Sequence, residues 1–147
     1  AGVAGVLAPH FAAHFVGRFE RGRPDLAAVA LEPDSTDPLA DTPEGADPDR
    51  FAGRVRALGQ AGDVLVVPSP RRNSAAVLAA AEAAHAREMT VVALLGGNGG
   101  SVGRALRETD VQVCVPHERA ARVHEVHLLT LHCLCDGIDA QLLGEDA

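Results

Sequence analysis

The stretch Gly62-Asp63-Val64-Leu65-Val66-Val67-Pro68-Ser69-Pro70-Arg71-Arg72-Asn73-Ser74 passes from four consecutive apolar residues through a polar turn into an Ala-rich run. A short apolar run bounded by turn residues reads as a strand buried on both faces. The Ala-rich residues 73–87 behind it read as a helix. The same order recurs downstream: residues 90–95 as a strand, Gly96-Gly97-Asn98-Gly99-Gly100 as a turn, residues 101–108 as a helix and residues 111–115 as a strand. Apolar strands alternating with helices predict a three-layer αβα sandwich around a parallel sheet of four or five strands. In such folds ligands collect at the carboxyl ends of the strands.

Working outward, residues 3–21 carry Leu7, Phe11, Phe15 and Phe19 at every fourth position, the spacing of an amphipathic helix, and Gly22-Arg23-Pro24 stops it. Residues 27–31 are a short apolar run expected to form a further strand. Residues 32–49, rich in Pro, Asp and Thr, read as a long loop. Phe51, Val55 and Leu58 give a helix over residues 48–60. At the other end, residues 118–143 form one long helix with Val123, Val126, Leu129, Leu131 and Leu134 on its apolar faces. The first and last helices carry more apolar surface than one sheet contact needs, so they are expected to assemble the chain into a dimer or tetramer.

A length of 147 residues suits one domain. Hydrophobic residues make up 47% but aromatic residues only 3%, so the core must be built from small aliphatic side chains. A net charge of −7, without any basic run, argues against binding a nucleic-acid backbone. No apolar run reaches the roughly 20 residues of a membrane span. Cys114, Cys133 and Cys135 lack CxxC spacing, and a reducing cytoplasm is the setting expected for them.

Three segments carry candidate chemistry. Ser69, Asn73 and Ser74 surround a helix N-terminus, where free N–H groups and the helix dipole attract an anion such as phosphate. Arg71 and Arg72 would add to that attraction if turned inward. Simple helix capping by Asn73 or Ser74 explains the same pattern. The Gly96–Gly100 turn is not GxGxxG and reads as a plain turn. Among the histidines, His10 and His14 are four apart and share a helix face, offset by about 40°. His124 and His132 differ by about 80° and can also converge. Both pairs have spacings that let imidazoles reach one metal, and both fit ordinary helix histidines.

Together these segments resemble the phosphoheptose isomerase family of the SIS-domain superfamily. The sequence His10-Phe11-Ala12-Ala13-His14-Phe15-Val16-Gly17-Arg18-Phe19 is similar to the family's His-Phe-Ala-Ala-Glu-Leu-Val-Gly-Arg-Phe. Residues 57–65 resemble the approach to its phosphate loop, and Arg122-Val123-His124-Glu125-Val126-His127 resembles its Arg-Ile-Gln-Glu-Val-His segment. The resemblance implies a sugar-phosphate site between subunits and aldose–ketose isomerisation of sedoheptulose 7-phosphate. It further implies a single SIS domain over residues 1–147, the family's N-terminal helix being absent or upstream of Ala1.

The family's Ser-Thr-Ser-Gly-Asn-Ser loop falls where Ser69, Asn73 and Ser74 match while Pro70, Arg71 and Arg72 depart. Its zinc ligands His, Glu, Gln and His fall on His10, His14, His124 and His132, and its catalytic Glu and His on His14 and His132. Substrate-binding positions fall on Ser69, Asn73, Ser74, Arg71 and His124, with Glu44 as an acidic substitute in an altered segment. The Asn-Gly-Gly-Ser loop falls on Ala1-Gly2-Val3-Ala4, without its polar groups. These departures leave two expectations: an isomerase with an altered site, or a non-catalytic SIS module that binds a sugar phosphate or a protein. A relative that associates with the DnaA initiator exemplifies the second.

Overall fold

The computed structural model describes residues 6–31, 49–70 and 73–144. At its centre lie three parallel strands, β1 (Val64–Ser69), β2 (Thr90–Gly96) and β3 (Val111–Val115), ordered β1-β2-β3. Val64 pairs with Thr90 and Ser69 with Leu95, while Leu95 pairs in turn with Cys114. Among the described residues five helices cover this sheet: α1 (Leu7–Val16), α2 (Ala52–Leu58), α3 (Ala75–Ala86), α4 (Gly100–Ala105) and α5 (Ala120–Leu143).

Alternation along β2 assigns the layers, because successive side chains point to opposite faces. Val91, Ala93 and Leu95 join Val55, Val67, Ala80, Ala84 and Val102 in a core under α2, α3 and α4. Val92 and Leu94 face the other way and pack with Val66, Val113, Leu7, Phe11 and Leu131 under α1 and α5. The expected three layers are therefore present. On the first face the contact is made mostly by alanines, which let α3 lie close to the strands at little side-chain entropy cost.

Five expectations need correction. Among the described residues the sheet has three strands rather than four or five. Residues 27–31 form no ladder: Val29 is 72% exposed, and Leu31 alone of the run packs against the core. The first helix ends at Val16 instead of continuing to residue 21, because Gly17 donates back to Ala13 and the chain then leaves the helix. The long helix begins at Ala120, and the helix after the Gly-rich turn stops at Ala105. The loop expected over residues 32–49 lies outside the described residues except for Asp49.

Opposite the carboxyl ends of the strands, Asp110 ties three segments together. Its Oδ1 accepts from Val91 N at 2.8 Å, and its Oδ2 accepts from Arg107 N and from His85 Nε2, both at 2.7 Å. Burial pushes the Asp110 carboxyl up, but these bonds and the His85 charge outweigh it and hold the group below its ordinary value.

Candidate functional site

Leu7 anchors the N-terminus of α1 between Leu94 of the sheet and Leu131 of α5. One and two turns further on, His10 and His14 face α5 at His132. His10 Nε2 lies 3.0 Å from His132 Nε2 and 3.2 Å from His14 Nε2. Phe19 closes over the group, its ring centroid 4.9 Å from that of His14 and 5.1 Å from that of His132. His14 Nδ1 turns away toward Arg18 O, at 3.5 Å.

One nitrogen cannot donate to one neighbour and accept from another with a single in-plane site, so neutral imidazoles leave at least one of these contacts poorly made. A cation held between the three nitrogens would remove the conflict. Donors of a tetrahedral ion bound at about 2.0–2.1 Å stand about 3.3 Å apart, close to the separations seen. Among the described residues this trio is the one group of His, Cys, Asp or Glu placed to hold a metal ion. The residues fit zinc or a similar cation that favours imidazole. Burial, with the charges of His14 and His132, holds His10 below its ordinary pKa, so near neutrality its nitrogen is free to bind.

His124 is not in the trio. It stands eight residues before His132 on α5, about 12 Å along the helix axis, and its Nδ1 is buried without a hydrogen-bond partner. That rise along the axis separates the two histidines although their angular offset is only about 80°.

The second candidate segment lies at the carboxyl end of β1. Ser69 ends the strand, 5% exposed. Ser74 Oγ accepts from Val77 N at 3.4 Å and so caps α3. Asn73 reaches a different helix, its Oδ1 accepting from Ser101 N at 3.3 Å in the first turn of α4. The loop after β1 is thereby tied to the Gly-rich turn after β2. Gly96 sits between them: a Cβ there would come within 2.6 Å of Pro70 O and 3.1 Å of Val123 Cγ1, so a side chain would force the loop and α5 away from the sheet. Glu44, Arg71 and Arg72 lie outside the described residues.

Two features escaped the sequence reading. His127 is fully buried and donates from Nε2 to Leu95 O at 3.1 Å. Arg23 forms a buried ion pair with Asp139, Nε to Oδ1 at 2.6 Å. A signal for both was present. Val123, His127, Leu131, Cys135 and Asp139 recur at every fourth position and are all buried, so two polar groups stand in an otherwise apolar stripe and require partners.

The SIS domain family matches residues 1–96. The phosphoheptose isomerase of Methylibium petroleiphilum is 57% identical over 141 residues, spanning 94% of this chain and 69% of that protein. The chain belongs to the phosphoheptose isomerase family of SIS domains. Among solved structures of this family, that from Neisseria gonorrhoeae matches with a TM-score of 0.77 at 46% identity, over 95% of this chain and 73% of its own. That from Francisella tularensis gives 0.78 at 35% identity, over 95% and 72%. These TM-scores show that the chain shares its fold with solved phosphoheptose isomerases. No helix among the described residues is long and apolar enough to cross a membrane.

Proposed function

We propose that residues 1–147 form one SIS unit that interconverts a ketose and an aldose phosphate of the sedoheptulose 7-phosphate type. The observation that carries this reading is the convergence of His10, His14 and His132 in a chain whose close relatives are named phosphoheptose isomerases. In this reading the phosphate binds at Ser69, Asn73, Ser74 and Arg71, and Glu44 and His124 contribute to the sugar site. The protein works in the cytoplasm as a dimer or tetramer.

Isomerisation through an enediol removes a proton from the carbon beside the carbonyl and returns one to the former carbonyl carbon, while a proton moves between the two oxygens. Imidazoles titrate near neutrality, and His14 and His132 are assigned these transfers. Where His10, His14 and His132 instead hold zinc, the ion would polarise the sugar carbonyl as a Lewis acid. A given Nε2 lone pair serves either the metal or the proton. A fourth protein ligand would close the shell, leave no place for substrate and make the metal a structural clasp between α1 and α5, but His124 stands two turns away from the trio. Three ligands alone would leave a tetrahedral ion one position for substrate or water.

The test is incubation of the purified protein with sedoheptulose 7-phosphate in D2O, before and after chelation and zinc reloading, followed by NMR. Formation of aldoheptose phosphate with deuterium at the former carbonyl carbon is expected. Binding of the sugar phosphate without turnover or deuterium uptake under both conditions would reject the isomerase in favour of a non-catalytic SIS module.

A further inference from the structure

We propose that Arg23 and Asp139 are positioning residues that hold His14 and His132 at ligand distance, an inference that rests on the reading of the histidine trio as a metal site. Arg23 and Asp139 are 1% and 3% exposed in their side chains, and every arm of the guanidinium is used. Nε binds Asp139 Oδ1, Nη1 donates to Phe15 O at 2.9 Å and to Pro24 O at 3.2 Å, and Nη2 donates to His14 O at 2.5 Å. Because α1 ends at Val16, the carbonyls of His14 and Phe15 are among the helix-end acceptors that lack an intrahelical donor. Arg23 supplies donors from outside the helix.

Asp139 lies seven residues beyond His132 on α5, on the same face to within about 20°. One planar cation thus connects the backbone of one candidate ligand to the helix that carries another. At its opposite end α1 is held by Leu7 against Leu131. His10 and His14 lie between these two fixings, so the distance from α1 to α5 at the trio is set from both sides. Apolar side chains could fill this space without the desolvation cost of two buried charges. What they could not supply is the directed, forked attachment of Arg23.

The experiment uses the full chain stripped of metal and titrated with cobalt(II), whose visible absorption reports ligand number and geometry, with zinc competition for affinity. Asp139→Asn and Arg23→Lys are compared with wild type at a temperature where circular dichroism shows each variant folded. Arg23→Lys keeps both charges but loses the fork, and Asp139→Glu keeps the pair with one added methylene should either of the others fail to fold. Expected is at least a ten-fold weaker affinity and an altered cobalt spectrum in each folded variant. Wild-type affinity and spectrum in a folded variant, even one with a lower melting temperature, would overturn the proposal by making the pair merely structural. Absence of cobalt and zinc binding in the wild type would instead remove the metal reading on which the proposal stands.

Discussion

His127 donates from Nε2 to the carbonyl oxygen of Leu95, with its imidazole wholly shut away from solvent. Replacement by Ala leaves that carbonyl without its donor and opens a void, a loss expected to total about 2–5 kcal/mol. His127→Phe should recover the packing part alone. Burial, with a smaller push from His124 and against the bond to Leu95, holds the His127 pKa below its ordinary value. The unfolded chain therefore takes up protons first, near pH 6.5, and stability falls as pH drops from there toward the depressed folded value. Urea midpoints measured from pH 7.5 to 5 on metal-free protein should decline in wild type and decline less in His127→Phe. Parallel slopes would contradict the assignment.

Asp110 operates in a lower window. Its folded pKa is depressed, so its contribution is present above the unfolded value near 3.9 and is lost as pH falls through the folded one. Asp110→Asn should cost about 2–4 kcal/mol, since it weakens acceptance from Val91, Arg107 and His85 at once. It should also flatten the acid end of the stability profile. A variant as stable as wild type at pH 7 would show that the three segments hold together without the carboxylate.

The trio predicts a specific pattern of metal loss. His10→Ala, His14→Ala and His132→Ala should each weaken zinc binding by more than about 100-fold, beyond what loss of an outer partner costs. His124→Ala should retain one zinc per chain. Bound metal measured after dialysis decides this: loss in His124→Ala as complete as in His14→Ala would establish four ligands.

Ser74 is committed to Val77 N, so Ser74→Ala should lower stability by about 1 kcal/mol and Ser74→Gly by only a few tenths. If the same N-terminus also takes the phosphate, Ser69→Ala with Ser74→Ala should weaken sugar-phosphate binding by about 1–3 kcal/mol in calorimetry. Lower stability with unchanged affinity would confine Ser74 to capping.

Much of this architecture is legible in sequence because strands β1 to β3 are short apolar runs separated by turn residues, and periodicity locates such segments well. Val29 shows the limit: residues 27–31 look like a strand by composition, yet a strand needs a partner, and pairing is not written in the run itself. The spacing of His10 and His14 announces a shared face, but convergence with His132 depends on how α1 packs across α5. His124 shows the converse, since angle alone ignores distance along the axis. Arg23 reads as part of a stop signal and Asp139 as one more acid. Their union across 116 positions of chain emerges only when the two helices are placed together.

The fourfold spacing that buries one stripe of α5 also leaves two thiols in contrasting surroundings on a single helix. Cys133 is exposed, whereas Cys135 is 1% exposed, and burial, with the charges of Asp139 and Asp136 and against that of Arg23, pushes its pKa up to about 11. An alkylating reagent should modify Cys133 at once and Cys135 only when α5 lifts from the sheet, because the thiolate is the reactive form. The slow modification of Cys135 then serves as a clock for local opening of the helix that carries His132. Its dependence on added zinc would give the strength of the coupling between metal and helix without any spectroscopic label.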